Sequence, residues 1–260
     1  MAGLVKVNYE GGLARITLAR PEAGNAMSWE LIDDFAGAGN EVAGNPAVRA
    51  VLIDSEGKNF CVGGDIKAFA SEADPGGFIE RLAGRLHEGV HALATMEAPV
   101  VVAVRGAAAG AGLSLAAAGD IVIAGEGASF TMAYTGIGLT SDGGATWTLP
   151  RVIGLRRTQE MAYLNRRVSA AEAESWGLVT RVVSDDVLDT EAHAVAVQLA
   201  QGPIRAFGGI KRLLRGGYAA SLPDQLADEA KAIGEALRTK DAQGAVKAFL
   251  AREKPVFTGE

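Results

Sequence analysis

"PVVVAVRGAAAGAGLSLAAAGDIVIAGEGASF", residues 99–130, sets two apolar runs on either side of a run built almost wholly from alanine and glycine. "VVVAV", bounded by Pro99 and Arg105, reads as a strand. "GAAAGAGLSLAAAG" reads as a small-residue loop opening a helix, and "DIVIAG", followed by "ASFTM", as a return to extended chain. The same alternation holds upstream. "LVKVNYEGGLARITLAR" has two period-two runs around Glu10-Gly11-Gly12, the signature of a hairpin. "SWELIDDFAGAGNEVAGNP" has a capping serine, Ser28, and apolar residues at helical spacing as far as Pro46. "RAVLIDSE" reads as a buried strand, and "NFCVGGDIKAFA" as a loop entering a short helix at about Asp65. "DPGGFIERLAGRLHEGVHALATMEAP" reads as a helix ended by Pro99. The glycine-rich stretch 72–78 at its start is read as a lid. Beyond Asp142 the pattern is helical to the end. The expected class is α/β, with repeated strand–helix units over residues 1–200 and a helical region over 201–260.

Composition removes several functions. The chain has 260 residues, 48% of them hydrophobic, enough for one sizeable core. Its net charge of −6 argues against a nucleic-acid partner. A single cysteine, Cys61, allows no disulfide within the chain and fits a reducing compartment. The charge-free stretch between Arg105 and Asp120 is shorter than the ~20 residues of a membrane helix. The opening "MAGLVKVNYE" alternates and has no signal-peptide core. The expectation is a cytoplasmic protein with no membrane partner.

Two loops are chemically suggestive. In "CVGGDIK" and in "GAAAGAG" small residues lead into a helix start, where backbone N–H groups have no helical partner. Glycines let such backbone approach a ligand closely. Two donors converging on one oxygen would stabilise an oxyanion. The alternative for each is a tight turn or a close helix–sheet contact. From Gly110 the second loop lacks the third glycine of a dinucleotide fingerprint. A third stretch, "GLTSDGGATWTLP" at 138–150, contains one carboxylate, Asp142, which also suits the N-cap of the helix opening "GGATW". His87 and His91 lie four apart on one helix, but no third metal ligand accompanies them, so no metal is expected.

Four blocks taken in order carry a resemblance: "FCVGGDIKAFA" (60–70), the 99–130 stretch, "GIGLTSDGGATWTLPRVIG" (136–154) and "VSAAEAESWGLVTRVV" (168–183). Together they resemble the crotonase, or enoyl-CoA hydratase/isomerase, superfamily. The likeness runs from about Leu4 to the tail "FLAREKPVFTGE". It implies a spiral of strand–strand–helix turns, with C-terminal helices that assemble homotrimers or dimers of trimers. It implies a coenzyme A thioester as substrate and no separate cofactor. By the resemblance the N–H groups of Gly64 and Ala111 bind the thioester oxygen of an acyl-CoA. Gly63, Asp65, Ile66, Lys67 and Phe69 fall in the adjoining substrate-contact segment, and Ala23 and Ala26 in a second CoA-contacting turn. Phe257 falls in a tail that reaches a neighbouring chain's site.

The chain departs from the family where the hydratases carry two glutamates, for those places are Ser114 and Tyr134. Neither serves as a carboxylate base near neutral pH. The motifs are most similar to those of the epoxyphenylacetyl-CoA and enoyl-CoA isomerases, which implies Asp142 as a single acid/base shifting a double bond. Phe130, Tyr134, Leu139 and Trp147 are then expected as apolar walls. A second reading follows the 4-chlorobenzoyl-CoA dehalogenases, with Asp142 as nucleophile and His87 activating water. A third keeps the pocket but makes the chain a non-catalytic acyl-CoA-binding protein.

Overall fold

The hairpin around Gly11-Gly12 opens the fold. In the computed structural model, which describes residues 3–260, β1 (Val5–Glu10) pairs antiparallel with β2 (Leu13–Leu18). Met1 and Ala2, the first residues of the run read for a signal peptide, lie outside the described residues. Then follow α1 (Trp29–Gly44), β3 (Ala50–Ser55), α2 (Ile66–Ala70), α3 (Pro75–Thr95) and β4 (Val100–Val104). Ser28 caps α1, its hydroxyl accepting from the N–H of Leu31. The stretch 72–78 is not a free loop: Asp74 caps α3 through the N–H of Gly77, and Pro75 to Phe78 are already its first turn.

The middle of the chain alternates quickly. It gives β5 (Ala107–Ala109), α4 (Ala111–Ala117), β6 (Ile121–Gly125), β7 (Ser129–Thr131), α5 (Ala145–Val152) and α6 (Leu155–Leu164). Next come β8 (Val168–Ser169), α7 (Ala170–Trp176), β9 (Arg181–Val183), α8 (Leu188–Ala200), α9 (Ile204–Gly216), α10 (Leu222–Leu237) and α11 (Lys240–Ala251). The expectation of helix alone beyond Asp142 is therefore corrected. β8 and β9 have only two and three residues, too short for a period-two pattern to register.

The strands form a six-stranded sheet in the order β1-β2-β3-β4-β6-β9 and a three-stranded sheet in the order β5-β7-β8. β4 and β5 are one turn of a spiral, which leaves the large sheet for the small one before α4; β6 and β7 repeat it. The apolar runs follow from burial on both faces. Val51 and Ile53 of β3, with Val100, Val102 and Val104 of β4, join the core that includes Leu31 and Phe35 of α1 and Leu86 of α3. The alternate residues Ala50, Leu52, Val101 and Ala103 pack with Leu188, Ala192, Ala196 and Ala200 of α8. Phe35, Phe60 and Phe130 are fully buried in the first core, each worth about 1.5–3 kcal/mol of transfer free energy. α9, α10 and α11 leave large apolar side chains in the open; Ile233 is 73% exposed and Phe249 81%. No helix among the described residues is long and apolar enough to cross a membrane.

Candidate active site

The loop after β3 is drawn against β5 by strand-like bonds. The N–H of Cys61 donates to the carbonyl of Ala107 at 3.1 Å, and the N–H of Ala109 to the carbonyl of Cys61 at 2.9 Å. On its other side the loop pairs with Met27, whose N–H donates to the carbonyl of Gly63 at 2.8 Å and whose carbonyl accepts from Asp65. Gly63 turns the chain at φ +102°, a left-handed conformation that favours glycine. The two loops then approach closely: a Cβ on Gly112, in the first turn of α4, would stand 2.3 Å from the Cys61 carbonyl oxygen. The N–H groups of Gly64 and Ala111 have no partner in the backbone network of the described residues. Ala111 is the first residue of α4, where an N–H has no carbonyl four residues back to bond. Both residues line one cavity of about 500 Å³, together with Tyr134, Leu139 and Asp142.

Asp142 arrives from the opposite wall. Its Oδ1 accepts from the Tyr134 hydroxyl at 2.6 Å. The capping alternative does not hold, because the N-cap of α5 is Gly144 (φ +81°) and no side chain caps the helix; of Asp142 only the carbonyl contributes, accepting from the N–H of Ala145. Tyr134 is in turn 2.9 Å from the Ser114 hydroxyl. Burial first, then the Asp142 charge and its hydrogen bond, push the Tyr134 hydroxyl above its usual range. Tyr134 is thus a proton-holding donor toward the carboxylate. The Cys61 thiol is pushed up to about 12, chiefly by burial, although the Gly63 backbone opposes the shift. A buried thiol so rarely ionised is no nucleophile. Iodoacetamide at neutral pH is expected to label Cys61 only after denaturation; rapid labelling of the native protein, read by mass spectrometry, would contradict this burial.

The remaining expected residues divide. Gly63, Ile66 and Phe69 line the cavity; Asp65, Lys67, Ala23 and Ala26 do not. Asp65 instead holds Arg20 at 2.8 Å, and the hydrogen bond from Arg20 keeps its carboxyl below the usual range. The same Arg20 bonds the Ala26 carbonyl, and Val62 bonds the Gly24 carbonyl. The turn containing Ala23 and Ala26 is therefore tied to the donor loop without opening into the cavity.

Three expected contacts, Phe130, Trp147 and His87, lie outside the cavity. Phe130 lies in the core, because β7 turns it inward, and it lines no part of the cavity. Trp147 emerges from the other side of α5 into a separate recess shared with His87 and His91, with the Arg151 guanidinium 4.1 Å over its ring. His87 accepts the N–H of Gly143 on Nε2 at 3.0 Å, bracing the loop next to Asp142 from behind. Phe257, expected at a neighbouring chain's site, has its carbonyl accepting from Arg49 of its own chain, just before β3. That is the end of the sheet away from the cavity, which opens where β3 and β4 finish.

Sequence reasoning missed the contribution of α3. Ile79, Leu82, Ala83 and Leu86 line the cavity along one helical stripe, with Glu80 beside them as a second, solvent-exposed carboxylate. The i, i+3, i+4, i+7 spacing was the available signal, but it marks an apolar face without saying what that face covers.

The pattern of the enoyl-CoA hydratase/isomerase family matches residues 8–260. The chain belongs to this family. It is 38% identical over 256 residues to a protein described as a probable enoyl-CoA hydratase of Rhodobacter capsulatus, spanning 98% of both chains. It is 36% identical over 265 residues to the 1,2-epoxyphenylacetyl-CoA isomerase of Escherichia coli K12, spanning 100% of both. The crystal structure of an enoyl-CoA hydratase from Polaromonas sp. JS666 superposes with a TM-score of 0.92 at 34% identity, over 98% of this chain and 100% of that one. The two-sheet spiral is the crotonase fold.

Proposed function

We propose that this family member is an enoyl-CoA isomerase, moving a carbon–carbon double bond along the acyl chain of a coenzyme A thioester. The observation that carries the reading is the pairing, in one cavity, of two unpartnered N–H groups with a single held carboxylate. The N–H groups of Gly64 and Ala111 would receive the thioester oxygen and stabilise the charge that grows on it. Asp142 would take a proton from C2 of a 3-enoyl thioester, leaving a dienolate, and return it to C4. The C2–H bond breaks, its electrons flow to the thioester oxygen, and on their return the C4–H bond forms with the double bond now at C2. One base that reaches both carbons suffices. Hydration, in contrast, needs a held water, and positions 114 and 134 supply hydroxyls rather than carboxylates.

The test supplies 3-enoyl-CoA of medium chain length and follows the conjugated 2-enoyl product by its absorbance. Turnover that depends on Asp142 supports the reading; no conjugation above background overturns it. The reading also expects homotrimers or dimers of trimers, which would cover the open apolar faces of α9 to α11. A single-chain mass in sedimentation equilibrium at micromolar concentration would overturn that part.

A further inference from the structure

The Asp142 carboxylate is held at one oxygen and open at the other. Oδ1 accepts from Tyr134, whereas no protein group bonds Oδ2 among the described residues. The Tyr134 hydroxyl has one proton. Donating it to Oδ1 leaves the phenolic oxygen as acceptor for the Ser114 hydroxyl at 2.9 Å. Ser114 lies one turn into α4, with its hydroxyl also 3.3 Å from the Gly110 carbonyl, in the loop that presents the Ala111 N–H. The chain Ser114–Tyr134–Asp142 therefore joins the donor loop to the carboxylate.

The backbone is shaped for this contact. Ala133, just before Tyr134, has φ +63° and ψ −24°, a left-handed conformation that costs an alanine roughly 1–2 kcal/mol. A short 3-10 turn follows over Tyr134–Ile137, closed when the Leu139 N–H donates to the Tyr134 carbonyl at 3.0 Å. Strain in a residue that lines the cavity, kept beside a buried hydroxyl, fits a side chain whose direction matters.

We propose that Tyr134, supported by Ser114, is a positioning residue: it holds Oδ1 of Asp142 and leaves Oδ2 as the oxygen that carries the proton. The proposal rests on Asp142 as the acid/base. Tyr134 keeps its own proton throughout; the transferred proton passes from C2 to Oδ2 and from Oδ2 to C4. A carboxylate swinging freely would present either oxygen at varied angles, and small losses of alignment are costly in proton transfer. The titratable groups around Asp142 are Tyr134 itself, Cys61 from the loop after β3, and Glu80 and His87 from α3. Of these, only Tyr134 donates a hydrogen bond to the Asp142 carboxylate.

The experiment compares the full-length protein with Tyr134→Phe, Ser114→Ala and Asp142→Asn. The first readout needs no substrate: the carboxyl carbons of [13C]aspartate-labelled protein are titrated by NMR, with Asp142→Asn assigning the resonance. A hydroxyl donating to a carboxylate favours its charged form. Tyr134→Phe removes that donor and is therefore expected to move the Asp142 midpoint upward, and Ser114→Ala by less, in the same direction. The second readout is the isomerase assay. Tyr134→Phe is expected to lower kcat about tenfold with KM within twofold, and to move the acid limb of kcat/KM upward with the NMR midpoint. An unmoved midpoint overturns the proposal and leaves Asp142 as the base. A rise in KM with kcat unchanged also overturns it, for Tyr134 would then be a substrate contact. If Asp142→Asn turns over like the unmodified protein, the acid/base reading itself falls and the proposal with it.

Discussion

Asp142→Asn is expected to slow conversion of 3-enoyl-CoA to 2-enoyl-CoA by at least a hundredfold, within the ~10²–10⁴ range that a positioned acid/base contributes. The change is nearly isosteric. The asparagine carbonyl can still accept the Tyr134 hydroxyl, which burial keeps protonated, so the wall of the cavity need not move. The Asp142 carbonyl bonded by Ala145 belongs to the backbone and is unchanged. What disappears is the only group of that wall able to take and return a proton, since Ser114 and Tyr134 are hydroxyls and Cys61 is buried with its thiol protonated. Thioester binding, measured by calorimetry with a saturated acyl-CoA, should stay within a few-fold, because the Gly64 and Ala111 donors are untouched. A rate within a few-fold of the unmodified protein would mean that another group moves the proton. Glu80, the second carboxylate of the cavity, would be the first to replace.

How much of this was legible beforehand depends on what each element needs from outside itself. β1, β2, β3, β4 and β6 were readable because five or six residues, alternating in β1 and β2 and mainly apolar in β3, β4 and β6, declare a strand locally. β9 has three residues, and only its pairing with β6 makes it a strand. The two loops with free backbone N–H groups were found as small-residue patterns with a backbone reason, and the family resemblance singled out Gly64 and Ala111 within them. The Cys61–β5 pairing and the 2.3 Å approach at Gly112 give those patterns their geometry. Trp147 was misplaced because a helix has two sides. Sequence spacing shows which residues share a face of α5, but not which face meets the cavity.

The clearest lesson lies at positions 114 and 134. In the sequence they counted as losses, two places without a glutamate. In the fold they are the residues that touch Asp142 or its hydroxyl partner. Residues 114, 134 and 142 sit on three different elements: α4, the 3-10 turn and the loop before α5. No local period links them. Only the spiral, by placing β5 beside β7 and so α4 beside the 3-10 turn, brings them into one hydrogen-bonded chain.

Ala111→Pro tests the other half of the site, and its strength is what it leaves alone. Proline normally breaks a helix because it lacks an N–H and clashes with the preceding turn, but the first helical position tolerates it. Ala111 occupies that position in α4, and its N–H bonds no carbonyl. The residue before a proline is restricted as well. Here it is Gly110 at φ +53° and ψ −126°, the mirror image of extended backbone and open to glycine. The substitution therefore removes one donor and little else. If the Ala111 N–H receives the oxyanion, kcat should fall by about 10²–10³, a loss of about 3–4 kcal/mol of transition-state stabilisation. Thermal midpoint and secondary structure should stay near those of the unmodified protein. KM should change far less than kcat, because the ground-state carbonyl carries little of the charge that the donor answers. An equal rise in KM with kcat unchanged would make the Ala111 N–H an anchor for the bound thioester. A stable, fully active Ala111→Pro would remove Ala111 from the chemistry and leave Gly64 to be tested as the sole donor.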